Sequence, residues 1–223
     1  MTARPFRAAI FDMDGLLIDS EPLWQDAEIA VYRPFGVPVT HELCRATAGQ
    51  RIDEVLSGWH RRFGWDGPPL EEMVRRVLDE VTRRIEREAR ALPGVHDTME
   101  RLAERGLKLA IASSSPPELI EAVVERLGIG ARIELAHSGI DEVRSKPDPA
   151  VFLTTADRLG VEPGECVVFE DAPAGVRAGR AAGMTVVAVP SVFSPDEPAF
   201  READLVLDSL EEFEPGWLDR RGA

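Results

Sequence analysis

Two aspartates, Asp12 and Asp14, lie one residue apart at the end of the apolar run 8–11. We predict that this run is a buried strand that ends at a reactive site. Side chains two residues apart on a strand point to the same face, so both carboxylates can converge on one atom if that geometry continues past the strand. Gly15 then allows a turn with a backbone conformation that other residues resist. By itself the segment is equally compatible with a solvated turn rich in aspartate, so its meaning depends on the rest of the chain.

Other polar side chains stand at the ends of later predicted strands or just before a helix. They are Ser113, Ser114, Ser115, Lys146, Glu170 and Asp171. In an open parallel sheet, ligands bind at the carboxyl ends of the strands, so these groups are expected to meet Asp12 and Asp14 on one rim. Each group alone has an ordinary structural explanation, such as an N-cap serine or an acid at the start of a helix. Their occurrence together, in order, at successive strand ends favours a functional site.

This combination of acids, hydroxyl and lysine suits phosphoryl transfer. Oxygen atoms of Asp12, Asp14 and Asp171, assisted by Glu170, are the hard ligands that Mg²⁺ prefers. The metal ion would offset the repulsion between a carboxylate nucleophile and a phosphate dianion. Asp12 is the predicted nucleophile, and its attack on phosphorus would divide one difficult step into two through an aspartyl-phosphate.

The remaining groups complete this hypothesis. Lys146 and the Ser113 hydroxyl would bind the oxygens of the transferring phosphoryl group, and Lys146 would also offset charge among the acids. Ser114 and Ser115 are assigned to substrate binding beside them. Asp14, with its side chain held away from the metal, would protonate the leaving alcohol and later accept a proton from water.

Two different kinds of chain segment must position these residues. Between residues 21 and 90, apolar residues recur at helical spacing and predict amphipathic helices at 23–32, at 52–63 and around 74–85. From residue 92 onward, predicted strands and helices alternate, and the strands are almost continuously apolar. Such strands are typical of a parallel sheet covered by helices on both faces. We therefore predict an α/β fold: a Rossmann-like, doubly wound parallel sheet with an α-helical bundle inserted after its first strand.

The composition limits the partners of the protein. The 223-residue chain has a net charge of −14, which repels nucleic acid and anionic membranes, so neither is an expected partner. No apolar run is long enough to span a membrane, the sequence begins without a signal peptide, and its two cysteines form no metal-ligand or disulfide pattern. We expect a monomeric, cytoplasmic protein whose partner is a small phosphorylated metabolite.

The motifs resemble those of the haloacid dehalogenase superfamily. Its four motifs correspond, in order, to Asp12-Met13-Asp14-Gly15, Ser113, Lys146-Pro147 and Glu170-Asp171. The resemblance covers nearly the whole chain, and the runs 14–21, 92–95 and 146–152 are similar to the β-phosphoglucomutase-like branch with a helical cap.

This resemblance implies a domain division and a class of reaction. Residues 1–18 and 91–223 would form the catalytic core, and residues 19–90 would form the cap. The implied activity is that of a Mg²⁺-dependent phosphomonoesterase or phosphomutase that works through an aspartyl-phosphate.

The predicted cap carries residues that are expected to select the substrate. Arg51 stands where β-phosphoglucomutases have an arginine that contacts the sugar phosphate, although an ordinary surface arginine explains it equally well. Where those mutases have a histidine and a lysine, this chain has Trp24 and Thr47, which favours release of phosphate to water. Trp24 is assigned to the substrate site, with an aromatic residue packed inside the cap as the alternative.

The runs 20–24, 51–53 and 65–68 look most like those of the bacterial hexitol and 2-deoxyglucose-6-phosphate phosphatases. The predicted function is therefore the Mg²⁺-dependent hydrolysis of small sugar or polyol phosphates. One alternative is a phosphohexomutase of the β-phosphoglucomutase type. Another, from a different class, is a receiver-like signalling module, which also arranges acids, a hydroxyl and a lysine around a phosphorylated aspartate.

Overall fold

The computed structural model describes residues 5–47 and 50–221, and these form a parallel sheet surrounded by helices. The strands are β1 Ala8–Phe11, β2 Lys108–Ser113, β3 Ile133–Ser138, β4 Cys166–Glu170, β5 Thr185–Ala188 and β6 Leu205–Val206. Their spatial order is β3-β2-β1-β4-β5-β6, and every neighbouring pair is parallel. The predicted fold class is confirmed.

The helices follow the strands in chain order. They are α1 Glu21–Tyr32, α2 His41–Arg45, α3 Ile52–Phe63, α4 Leu70–Glu88, α5 Val95–Glu104, α6 Pro117–Leu127, α7 Ala150–Leu159, α8 Pro173–Ala181 and α9 Gly216–Arg221. The sequence pattern did not predict α2 and α9, because helices of five and six residues are too short to show a helical period. Among the described residues, no helix is both long and apolar enough to cross a membrane.

The sheet separates two apolar cores, because successive side chains of a strand point to opposite faces. In β1, Ala9 and Phe11 belong to one core and Ala8 and Ile10 to the other, and all four are fully buried. Helices α5 and α6 close the first core, and α7 and α8 close the second. The doubly wound arrangement explains why the strands read as almost continuous apolar runs.

Helices α1 to α4 pack against one another beyond the end of β1. The long helix α4 buries a stripe of residues four apart, all fully buried: Met73, Val77, Val81 and Ile85. Across the bundle, the Tyr32 ring forms T-shaped contacts with Trp59 and Trp65, with ring centroids 5.5 and 5.3 Å apart. This bundle is the helical insertion that the sequence predicts.

The chain passes between the sheet and the helical bundle in two adjacent segments. Ile18 on the way out forms an antiparallel bridge with Ala91 on the way back. The Leu92 amide also donates a 2.9 Å hydrogen bond to the Leu17 carbonyl. The bundle is therefore connected to the sheet by two adjacent chain segments next to the end of β1.

The order of the strands creates a crevice beside β1. From β1 the chain moves outward through β2 and β3, then returns to place β4 on the other side of β1. The chain segments that follow β1 and β4 diverge at this reversal. Open α/β sheets bind ligands in such a crevice. The residues that follow β1 and end β4 are therefore placed at the expected ligand site.

Candidate active site

Asp12 extends the ladder of β1 by one residue into the crevice. Its amide donates a 3.0 Å hydrogen bond to the Phe169 carbonyl of β4, and its side chain is buried. Three residues later, Gly15 has a φ of +78°, a conformation that L side chains rarely adopt. A Cβ atom at Gly15 would also overlap Asp171 Oδ2. The turn predicted after Asp14 is therefore needed for backbone geometry and for space around the acids.

Lys146 joins the ends of three strands from a single buried ammonium group. Its Nζ atom donates to Asp12 Oδ1 at 2.7 Å, to Glu170 Oε1 at 2.7 Å and to the Ala112 carbonyl at 3.1 Å. A lysine has three donors, so all of them are used. The buried location alone would lower the pKa of Lys146, but the carboxylates of Asp12 and Glu170 outweigh it and raise this pKa. Lys146 therefore stays charged.

Three buried acids, one of which is Asp12, lie close together. Asp12, Glu170 and Asp171 each place one carboxylate oxygen within 4.8 Å of the others. Glu170 Oε2 accepts from the amides of Asp171 and Ala172 at 3.1 and 3.2 Å, next to the start of α8. Gly175 leaves the space for this carboxylate, because a Cβ atom there would overlap Glu170 Oε1.

The electrostatics of this cluster fit a divalent cation. Burial raises the pKa of Asp12 to about 7, with Lys146 opposing the shift and Glu170 adding to it. Burial, followed by the charges of Glu170 and Asp12, also raises the pKa of Asp171. Three acids facing one lysine leave excess negative charge away from water. Carboxylate oxygens at this spacing are the hard ligands of Mg²⁺, and the ion would supply the missing positive charge.

Asp14 is held by donors on the opposite side. Its Oδ2 atom accepts from Ser115 Oγ at 2.7 Å and from Ser113 Oγ at 3.5 Å. Its Oδ1 atom accepts from the Trp24 indole of α1 at 3.2 Å. Ser113 Oγ in turn accepts from the Ser115 amide at 3.1 Å. These contacts turn the Asp14 carboxylate away from the cluster of Asp12, Glu170 and Asp171.

A cavity of about 100 Å³ lies between this rim and the helical bundle. The core side is lined by Asp12, Asp14, Ser113, Ser114, Ser115, Lys146, Glu170 and Asp171, which are all of the residues predicted on the strand ends. The bundle side is lined by Glu21, Trp24, Glu28, Cys44, Thr47, Gln50, Ile52 and Val55.

The predicted residues of the bundle are placed differently from one another. Trp24 packs against the apolar core, lines the cavity and donates its indole N–H to Asp14. Thr47 also lines it, with its hydroxyl donating to the Cys44 carbonyl at 2.9 Å. Arg51 is not among the described residues that line the cavity, and its guanidinium pairs with Asp53 at 3.0 and 3.1 Å.

Several residues of the site were not predicted. Ser191, three residues after β5, donates a 2.6 Å hydrogen bond to Asp171 Oδ2. The strand-end rule that led to Ser113 could have led to Ser191, had it been applied to β5. Glu28 lines the cavity from α1, and its signal in the sequence is an acid on the apolar side of an amphipathic helix.

Comparisons with known proteins find related hydrolases. The sequence model of the family described as haloacid dehalogenase-like hydrolase matches residues 6–183. Hexitol phosphatase B of Escherichia coli strain K12 is 40% identical over 213 residues, which are 95% of this chain and 96% of the relative. Validoxylamine A 7'-phosphate phosphatase of Streptomyces hygroscopicus subsp. limoneus is 30% identical over 207 residues, 93% of this chain and 95% of the relative.

A solved structure has the same fold. CbbY from Rhodobacter sphaeroides in complex with phosphate superimposes with a TM-score of 0.86 at 24% identity, over 96% of this chain and 99% of that one. The agreement extends over the sheet and the helical bundle together, since it covers almost all of both chains.

Proposed function

The chain belongs to the haloacid dehalogenase-like hydrolase family, and we propose that it is a Mg²⁺-dependent phosphatase of small sugar or polyol phosphates. The observation that carries the proposal is the contact of Lys146 with both Asp12 and Glu170 at the floor of a cavity. It supports a carboxylate nucleophile beside a fixed positive charge, which phosphoryl transfer requires. The names of the phosphatase relatives support the reaction class.

Asp12 is the proposed nucleophile. One of its carboxylate oxygens forms a bond to phosphorus while the bond from phosphorus to the ester oxygen breaks, which leaves an aspartyl-phosphate and an alkoxide. The Ser113 hydroxyl binds an equatorial oxygen of the phosphoryl group as this oxygen gains charge, and Lys146 does the same when one of its three hydrogen bonds shifts from a carboxylate to the phosphoryl group. Lys146 is well suited to this task because its three hydrogen bonds fix its position before the substrate enters.

Asp14 is the proposed general acid and base. In the first step it gives its proton to the departing alkoxide, which leaves as the alcohol. In the second step it accepts a proton from the water that attacks phosphorus, and cleavage of the aspartyl-phosphate restores the Asp12 carboxylate and releases phosphate. The hydrogen bonds from Ser115 and Trp24 support this role, since they orient the Asp14 carboxylate towards the cavity and away from the other acids.

The residues proposed to hold Mg²⁺ are Asp12, Asp171, the Asp14 backbone carbonyl and, in support, Glu170. When bound, Mg²⁺ supplies positive charge that offsets the repulsion between the nucleophile and the phosphate. Ser191 fixes one oxygen of Asp171, and the start of α8 fixes one oxygen of Glu170.

Charge on the bundle side of the cavity favours a phosphatase over a mutase. A phosphohexomutase must hold a second phosphate on the same sugar, away from the reacting one. Among the described residues that line the cavity, the lysine and arginine side chains are represented by Lys146 alone, which is on the core side. The bundle side offers the acids Glu21 and Glu28 instead. A neutral, hydroxylated leaving group suits this wall better than a second phosphate does.

A phosphate-release screen tests the proposal. Phosphorylated hexoses and hexitols, phosphoglycolate and nucleotides are each incubated with the enzyme, with Mg²⁺ or with a chelator, and products are separated by chromatography. We expect phosphate from hexose or hexitol phosphates, loss of release with the chelator, and recovery with added Mg²⁺. Formation of isomerised sugar phosphate in place of free phosphate would overturn the proposal.

A variant tests the nucleophile separately. Asp12→Asn is expected to lower phosphate release by at least about 1,000-fold, because the amide is a poor nucleophile. Asp157→Asn, an exposed aspartate on α7, serves as the matched control and should retain full activity. Appreciable hydrolysis by the pure, folded Asp12→Asn protein would refute the assignment.

A further inference from the structure

One face of α1 carries polar residues where a bundle helix normally has apolar ones. Glu21, Trp24 and Glu28 are spaced three and four residues apart, so they lie on the same side of the helix. All three line the cavity above the acids. The Trp24 indole donates a hydrogen bond to Asp14. The two glutamates of this face have no role in the proposed reaction.

Glu28 is the more deeply placed of the two. Its residue surface is 6% exposed, whereas Glu21 is only half-buried. The neighbouring groups that interact with its carboxyl are the Cys44 thiol, which is a weak donor, and the acid Glu21, which repels it. The buried Tyr32 hydroxyl also feels the charge of Glu28 but has no hydrogen-bond partner among the described residues. Across the described residues, no lysine, arginine or histidine forms an ion pair with Glu28. The described residues therefore leave acceptor capacity of this carboxyl unused, and the residue lines the cavity.

Gln25, on the same helix, is a buried polar residue whose side-chain amide has hydrogen-bond partners within the protein. It is 7% exposed, but it does not line the cavity. Its Nε2 atom donates to Glu21 Oε1 at 2.8 Å, and its Oε1 atom lies 2.9 Å from His41 Nδ1. Gln25 therefore has a structural role that its own contacts explain, and Glu28 does not.

We propose that Glu28 determines specificity by accepting hydrogen bonds from hydroxyl groups on the organic part of the substrate. The inference rests on the proposed phosphatase function. The phosphate is held at the core side by Ser113 and Lys146, so the organic part must extend into the same cavity towards α1. Glu28 there favours neutral, polyhydroxylated leaving groups and disfavours those with a carboxylate or a second phosphate.

The energetics of a buried carboxyl support this role. Burial raises the pKa of Glu28 to about 7, with the Cys44 thiol opposing the shift and Glu21 adding to it. A buried acid without a strong partner destabilises the empty protein. Hydroxyl donors from a substrate would supply the missing hydrogen bonds, and an analogue without them would leave the carboxyl unsatisfied.

A pair of matched substrates tests the inference. A hexitol 6-phosphate and n-hexyl phosphate share the reacting ester and the chain length but differ in hydroxyl groups. Glu28→Leu is expected to lower kcat/KM for the hexitol phosphate by about 10- to 100-fold, as for a lost hydrogen bond to a charged group. The same variant should leave kcat/KM for hexyl phosphate within about threefold. Glu71→Leu, an exposed glutamate on α4, is the control and should change neither value.

A second, conservative variant separates a specific effect of Glu28 from misfolding of the Glu28→Leu protein. Glu28→Asp keeps the charge but withdraws the carboxyl by one methylene, and we expect the same selective loss at a smaller size. An equal loss on both substrates, or no loss on either, would overturn the role of Glu28. If the wild-type enzyme hydrolyses hexyl phosphate but not the hexitol phosphate, the proposed substrate class fails and this inference fails with it. If it hydrolyses both and the Glu28 variants do so equally well, only the inference about Glu28 fails.

Discussion

Replacement of Glu28 by glutamine should stabilise the protein in a way that depends on pH. The carboxyl lies in a cavity wall at 6% exposure, and burial raises its pKa from 4.5 to about 7. Below pH 4.5 the group is protonated in both the folded and the unfolded chain, so it carries no charge penalty. As the pH rises from 4.5 to about 7, the unfolded chain releases this proton while the folded protein retains it. The free energy of unfolding therefore falls with rising pH across this window.

The size of the effect follows from the two pKa values. A difference between 4.5 and about 7, at about 1.36 kcal/mol per pKa unit, corresponds to about 3 kcal/mol lost above pH 7. The loss at pH 5.5 is about 1 kcal/mol, because only part of the window has been crossed. Glutamine has the same shape without the charge. The increase in the free energy of unfolding caused by Glu28→Gln should therefore be about 2 kcal/mol larger at pH 8 than at pH 5.5.

Urea unfolding at the two pH values measures this difference. Three of the four tryptophans, Trp24, Trp59 and Trp65, lie in the helical bundle that contains Glu28, so tryptophan fluorescence mainly reports unfolding of the relevant part. Glu71→Gln, an exposed glutamate on α4, is the control and should shift stability by less than about 0.5 kcal/mol at either pH. A gain of Glu28→Gln that is the same at both pH values, or a loss of stability at pH 8, would refute the reasoning.

Two other contacts of the site give sharp expectations. Trp24→Phe keeps the ring but removes the donor to Asp14, so kcat should fall about tenfold with KM nearly unchanged, while Trp217→Phe on α9 should have no kinetic effect. Steady-state kinetics measure this, and an unchanged kcat would show that the indole does not orient Asp14. Ser191→Ala removes the hydrogen bond to Asp171 Oδ2, so the Mg²⁺ concentration for half-maximal activity should rise about 10-fold or more, with kcat restored at saturating metal. Ser57→Ala on α3 is the control for a Mg²⁺ titration, and an unchanged Mg²⁺ requirement of Ser191→Ala would argue against a positioning role for this serine.

Much of the fold and of the core side of the site could be predicted from the sequence, because the signals are local. Apolar runs that end at acids or at serine mark buried strands and their carboxyl ends. A parallel sheet brings those ends to one edge, so Asp12, Ser113 and Glu170 could be assigned to one rim without any knowledge of contacts. The sequence thereby determined the fold class and the chemical composition of the rim.

Pairings across the cavity were decided by the tertiary structure. Lys146 contacts Asp12 across 134 residues of chain, and the pattern around a lysine before a proline does not identify its partners. Trp24 donates to Asp14 because the placement of α1 over the sheet sets the direction of the indole. Arg51 pairs with Asp53 two residues away and not with a group across the cavity. Helical spacing showed which residues share a face of α1, but the opposing surface determines whether that face meets apolar side chains or a cavity. For this reason the polar composition of the rim was contained in the sequence, while the position of Glu28 above it emerged only when the bundle was placed over the sheet.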